Sequence, residues 1–471
     1  MPNRYASTRT DHKRTDAFHL SFGGAGVKFP VGVSIRSAVA LPRRSSPAPL
    51  ASLTTRVTHV LPVSDDGGST AEIVRVLGGP ALGDLRSRCL RLTDERGAEA
   101  RAAQALLALR LHAEDESCAL DEWESVLMGE HQLWAPVSAD RRGSILRTLR
   151  AFDAAVRAAG DGGEARDEEV GCGGTDGARR SAAAPFRFRG GSVGNFFLAA
   201  ARSQCTSLDA AVQLLCETVG VPRETLVLPA VQTEDRLTLG AELEDGTHVR
   251  GQNAISHPES CAPLGAAVRR VYYCRSEGLE ERERGRCAPA AELSPSPHAN
   301  LVHQLRRADA VVYGMGSLFT SLCPSLILRG VGEAVAAQKC PKILILNSCP
   351  DRETSRALGG GMGPMDAADC VRAVAAALNR EGQGPDRALP NAAADYVTHL
   401  LYPAGGTVHV NEQRLGALGV AHVVAVPSVG DCQAPKANGG GKEGGRVYDP
   451  AALAAALQGI ARGANPPEPC C

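Results

Sequence analysis

Short apolar runs rich in Val, Leu and Ile recur along the chain at 57–64, 225–231, 308–313, 342–347 and 421–428. Near-continuous hydrophobicity over so few residues predicts strands buried on both faces, as in a parallel sheet. Between these runs, apolar positions return at helical spacing over 99–112, 143–159, 193–219, 324–337, 366–379 and 450–461. Strand followed by helix, repeated, predicts an α/β fold: a Rossmann-like, three-layer parallel sheet with helices on both faces. Residues 237–251 break the pattern. Alternating Leu237, Leu239, Ala241 and Leu243 run into Asp245-Gly246 and a second extended stretch, which predicts a hairpin.

Three stretches rich in Gly, Pro, Ser and charge, near 157–185, 276–300 and 433–446, read as solvated insertions. They interrupt a single domain over 57–462, followed by a tail over 463–471. Residues 1–56 form a poorly defined amino-terminal segment with nine Lys and Arg against two Asp. That composition suits an organellar targeting sequence, but the Gly-rich Phe22 to Gly26 suits a degraded first strand-turn unit instead.

Composition narrows the function. The chain has 471 residues, 44% hydrophobic but only 4% aromatic, so part of its length is loop rather than packed core. Lys and Arg (51) balance Asp and Glu (52), which removes the electrostatic footprint of a nucleic-acid binder. A ligand must then be held by local dipoles and a few side chains. No apolar run approaches the roughly 18 residues of a membrane span. Fifteen cysteines without a Cys-x-x-Cys pair argue for a reducing compartment and no structural zinc. The expected location is the cytoplasm, with organellar import through residues 1–56 left open. The expected partner is a small-molecule nucleotide, with neither nucleic acid nor membrane, and homodimer formation is left open.

In α/β sheets ligands gather beyond the carboxyl ends of strands, so the loops there carry the candidate chemistry. The first reads Asp65-Asp66-Gly67-Gly68-Ser69-Thr70-Ala71-Glu72. A capping box of Ser69 and Glu72, with Gly67-Gly68 making the turn, accounts for part of it. It leaves two adjacent aspartates, whose repulsion calls for a cation, a donor or a ligand hydroxyl. The second loop, Gly314-Met315-Gly316-Ser317, precedes a helix and can close backbone N–H groups on a phosphate, or make an ordinary turn. The third, Gly190-Gly191-Ser192-Val193-Gly194-Asn195, opens a helix. Ser192 can be its cap and Asn195 a surface residue, or the glycines can admit a ligand that Asn195 contacts. Gly439 to Lys442 lacks the spacing of a phosphate loop and reads as linker.

Leu61 to Thr70, continued by Gly78 to Ser87, resembles the opening motif of the CofD-like superfamily. Residues 190–195, 313–321 and the strand 342–347 resemble its later segments, so the resemblance spreads over about 57–462. In that family one branch transfers a phospholactyl group from guanosine diphosphate-linked lactate to a deazaflavin hydroxyl, with Mg2+ assistance and release of GMP. Another, the YvcK-like gluconeogenesis factors, binds UDP-sugars and regulates carbon metabolism. The Asp-Asp-Gly-Gly-Ser and Gly-Asp-Leu-Arg-Ser strings look closer to this second branch. The resemblance implies catalytic and Mg2+-holding roles for Asp65 and Asp66. It implies binding of a GDP- or UDP-type substrate by Gly67, Gly68, Ser69, Asp84, Arg86, Gly191, Asn195, Gly314, Gly316, Ser317 and Asn347. The activity it implies is that of a 2-phospho-L-lactate transferase-like enzyme, the alternative being a non-catalytic UDP-sugar-binding regulator.

Overall fold

The computed structural model describes residues 31–34, 57–64, 66–94, 97–161, 184–256, 264–275, 292–356, 363–380, 389–432, 445–461 and 463. Asp65 and the Phe22 to Gly26 stretch lie outside the described residues. In chain order the strands are β1 (Val31–Ser34), β2 (Val57–Leu61), β3 (Leu226–Pro229), β4 (Leu237–Leu243), β5 (His248–Arg250), β6 (Val268–Arg275) and β7 (Glu292–Leu293). They continue as β8 (Ala310–Tyr313), β9 (Lys342–Ile345), β10 (His399–Pro403), β11 (His422–Val426), β12 (Ser428–Cys432) and β13 (Gly445–Tyr448). Seven of them form the main sheet in the order β11-β10-β9-β8-β1-β2-β3. The pairs β11/β10, β10/β9, β9/β8 and β2/β3 are parallel, whereas β1 runs antiparallel to both β2 and β8. The sheet is therefore mixed rather than wholly parallel. Because β2 and β8 both oppose β1, they share a direction, and the carboxyl ends of β2, β8 and β9 lie along one edge.

Period-two alternation along the strands divides the core. Val311, Tyr313, Leu344 and Leu400 belong to the larger apolar cluster, while their neighbours Val312, Ile343, Ile345 and Leu401 belong to a second one. Leu453, Leu457 and Ile460 complete the second cluster, so the Pro450–Ala461 helix covers that face of the sheet. The other helices needed below are α1 (Gly68–Leu77), α2 (Gly83–Arg91), α3 (Ala98–Leu107), α4 (Glu116–Met128), α5 (Ala139–Asp161), α6 (Val193–Gln204), α7 (Leu208–Val219) and α8 (Gln252–Ser256). Trp123, Phe152, Phe186, Phe188 and Phe196 contact one another with ring centroids 4.5–6.1 Å apart. Their packing against α4 and α5 anchors the chain just before Gly190. The predicted hairpin is β4/β5, closed by Gly246 at φ +80°. β6 and β7 extend it to a four-stranded antiparallel sheet.

Several predicted elements differ in the structure. The single helix expected over 193–219 is two, α6 and α7, broken at Cys205 and restarted where the Ser207 side chain accepts the Ala210 N–H. The helix expected over 324–337 divides at Gly330, whose φ of +79° cannot continue a helix. β6 and β10 were not expected, and β1 falls within residues 1–56, read as either a targeting sequence or a degraded first strand-turn unit. The 276–300 and 433–446 stretches are not loop throughout, since β7 and the start of β13 lie within them. Among the described residues no helix is long and apolar enough to cross a membrane.

Candidate functional site

The Asp66 loop leaves β2 at Leu61. Gly67 is the α1 N-cap with extended backbone and makes no side-chain capping bond, so the expected Ser69–Glu72 capping box is absent. Glu72 instead binds Arg75 and the Arg187 N–H. Burial works against its ionisation, but these hydrogen bonds hold its carboxyl below the usual range. Ser69 is thereby released for a different contact. The Asn195 side chain donates from Nδ2 to Ser69 Oγ at 3.0 Å and, more weakly, to Thr70 Oγ1 at 3.5 Å. Its Oδ1 accepts from Arg86 Nε at 2.9 Å. At 2% exposure Asn195 is a buried connector between the α1 and α2 loops, its amide already bonded to protein.

Arg86 and Arg88 are both buried on α2. Burial pulls the Arg86 guanidinium down to about 10, helped by Arg110 and Arg91, and pulls Arg88 down to about 9, helped by Arg91. The Asp84 carboxylate opposes the shift in both. These cations remain charged at neutral pH and are held in a weakly solvating environment, where their field is poorly screened.

The glycines of the third loop serve contacts within the protein. A Cβ on Gly191 would meet the Phe196 ring at 2.4 Å, and one on Gly194 would lie 2.4 Å from the Leu107 carbonyl oxygen and 3.0 Å from Arg86 Cδ. The Val193 N–H at the start of α6 is bonded to the Leu109 carbonyl. Gly194→Ala is accordingly expected to force α6 or Arg86 to shift and to cost about 1–3 kcal/mol of stability. Chemical denaturation measures this, and an unchanged midpoint would show that the Arg86–Asn195 contact tolerates displacement.

The second loop follows β8. The Asn347 side chain, just past β9, brackets Gly316, accepting its N–H at 3.2 Å and donating to its carbonyl at 2.9 Å. Ser317 precedes a single π-helical turn, Leu318–Leu322, without capping it by its side chain. The N–H groups of Phe319 and Thr320 donate instead to Glu353 at 2.9 and 3.1 Å, and the Thr320 hydroxyl bonds the same carboxyl. Glu353 is buried and lifted to about 8, by burial first and then by Asp351, against the pull of those donors.

Two elements escaped the sequence reading. Gly251-Gln252-Asn253, at the end of the β4/β5 hairpin, packs on Asp66-Gly67. The Asn253 N–H donates to Asp66 Oδ1 at 2.9 Å, and Gly251, at φ +92°, has no Cβ to strike Asp66 Oδ2, which would lie 2.6 Å from one. Arg352-Glu353 is the other. The Arg352 guanidinium binds the Ala254 and Ile255 carbonyls of α8 while Glu353 holds the π turn, so one dipeptide fixes two walls. The available signal was a charged pair soon after a strand end, which spacing alone does not distinguish from a solvated turn. Linked contacts thus run from Arg86 through Asn195 to the Asp66–Ser69 turn, on through Asn253 and Arg352-Glu353, to the turn after Gly316.

The site is thus a set of polar loops tied together beyond the strand ends of an α/β sheet. The chain belongs to the 2-phospho-L-lactate transferase CofD family, whose model matches residues 47–425. The Uncharacterized protein YNL011C of Saccharomyces cerevisiae is 27% identical over 408 residues, covering 76% of this chain and 86% of the yeast protein. A gluconeogenesis factor of Listeria monocytogenes is 32% identical over 156 residues, or 33% of this chain and 40% of that protein. A crystal structure of a upf0052 family member from Bacillus halodurans shares the fold, with a TM-score of 0.51, 19% identity, and coverage of 85% of this chain and 91% of that one.

Proposed function

We propose that the chain binds a nucleoside-diphosphate-linked small molecule beyond the strand ends and transfers a phospholactyl-type group from it to a deazaflavin-type hydroxyl. The reading takes the sheet as a Rossmann-like, three-layer arrangement. The observation that carries it is the set of linked contacts from Arg86 to Gly316, because loops far apart in sequence can serve one ligand only when fixed together. In the proposed step the acceptor hydroxyl oxygen bonds to the phosphorus of the phospholactyl group. The bond from that phosphorus to the bridging oxygen breaks, GMP leaves, and the hydroxyl proton passes to the Asp66 carboxylate, with Asp65 as its neighbour in sequence. Backbone N–H groups of 314–317 other than that of Gly316, which Asn347 holds, and the buried Arg86 would offset the diphosphate charge.

Mg2+ suits such a site, since it takes one or two carboxylates together with substrate phosphates and water. Asp66, with Asp65, would hold the ion together with the substrate phosphates. The ion would supply charge neutralisation on the diphosphate.

The partial match to gluconeogenesis factors favours a second reading, a UDP-sugar-binding regulator. Incubation with guanosine diphosphate-linked lactate and a deazaflavin, followed for GMP, separates the two. GMP release with a new phosphodiester product is the expected result. Calorimetric binding of UDP-N-acetylglucosamine without turnover would install the regulator, and failure to bind either nucleotide would end both readings.

A further inference from the structure

Gln252 opens α8, whose next residue binds Asp66 and which packs against the turn that carries Thr320, and it is 1% exposed. Neither Nε2 nor Oε1 of its carboxamide has a hydrogen-bond partner. Ser64, directly before Asp65-Asp66, and Ser321, in the Leu318–Leu322 turn, are likewise each 1% exposed with unpartnered hydroxyls. Buried amides are almost always paired, because leaving both ends without partners forfeits the bonds they make with water in the unfolded chain. Its position is held from both sides. The adjacent Asn253 N–H is fixed on Asp66, and the Arg352 guanidinium grips the Ala254 and Ile255 carbonyls. The Asn253 side-chain amide also lies against Gly67, 3.1 Å from where a Cβ would stand.

We propose that Gln252 is a ligand-recognition residue of this same site and pairs with a group offering a donor and an acceptor side by side. The edge of a nucleobase is such a group. A diphosphate is not, since it only accepts and would leave Oε1 unpaired. The inference rests on the nucleotide reading above and assigns part of that ligand to α8, at the end of the β4/β5 hairpin.

The test compares the full chain with Gln252→Met and Gln252→Leu, which keep much of the buried volume and remove the amide. GDP, UDP-N-acetylglucosamine and inorganic pyrophosphate serve as calorimetric probes, with thermal unfolding measured in their absence. The expected result has three parts. Ligand-free melting temperature is unchanged or raised, because an unpaired buried amide has gone. Affinity for whichever nucleotide the parent binds falls about tenfold or more. Pyrophosphate affinity stays within about threefold, at most about half the nucleotide loss on a free-energy scale. Unchanged nucleotide affinity in the better-folded variant overturns the assignment while leaving the nucleotide reading intact. So does a parallel loss of pyrophosphate binding, which would mark general damage to the pocket. A parent that binds neither nucleotide removes the nucleotide reading and this inference with it.

Discussion

Asp66→Asn is expected to lower group transfer by roughly 100-fold or more while leaving the fold intact, as removal of one positioned carboxylate commonly does. The substitution separates the structural contact of this side chain from its proposed chemistry. Oδ1 accepts the Asn253 N–H, and an asparagine Oδ1 can still do so. What asparagine lacks is negative charge, and with it the capacity to take a proton or to hold Mg2+. A loss of turnover with an unchanged melting temperature therefore reports charge, not architecture. Asp65→Asn, made separately, shows whether the neighbouring carboxylate shares that work. Steady-state rates across a Mg2+ titration are the measurement, and full activity with parental Mg2+ dependence in both variants would remove carboxylate chemistry from the proposal.

Glu353→Ala is expected to cost about 3–5 kcal/mol, among the larger effects of a single substitution. It strands two buried N–H groups and one hydroxyl, each worth about 1–3 kcal/mol when left unpaired, with less than full additivity. It also frees the turn after Gly316 from the Arg352 side of the pocket, so ligand affinity should fall with stability. The charge of this group gives a second readout. Its carboxyl is raised to about 8 in the folded protein, against about 4.3 in an unfolded chain. The folded state then holds the proton more tightly. The stability this contributes is full below about pH 4.3 and is lost as pH rises from there through about 8. Glu353→Gln has no such proton, so the melting-temperature advantage of the parent over this variant should shrink between pH 5 and pH 8.5. An advantage that widens over that range would mean that the three donors, not burial, decide the protonation state.

Much of the architecture was legible in the chain. Runs rich in Val, Leu and Ile marked β2, β3, β8, β9 and β11; for the well-buried β2, β8 and β9 this is because both faces meet the core, whereas the edge strand β11 is only partly buried. The Leu237 to Gly246 alternation marked the hairpin for the converse reason. β10 was passed over although its centre, Leu400, Leu401 and Tyr402, is apolar or aromatic. The histidine and proline at its ends, His399 and Pro403, blur a run so short, and only pairing with β9 and β11 makes it a strand. Tertiary pairing likewise decided that Val31–Ser34 enters the middle of the sheet in the opposite direction, which no local pattern encodes.

At the site, the sequence determined which residue types are present and that glycines and carboxylates cluster after strands. It could not determine what those glycines make room for, since the space beside a Cα is set by what folds against it. For Gly194 that neighbour is Arg86, for Gly251 it is Asp66, and for Gly191 it is a phenylalanine ring. Nor could local pattern show that Ser69 serves Asn195 rather than its own helix, or that Glu353 caps a turn more than thirty residues earlier. A capping box is a contact between near neighbours and is written in spacing. The contacts that join the loops form between distant segments, each deciding only in the folded protein which of several satisfactory hydrogen-bond partners its polar groups will have.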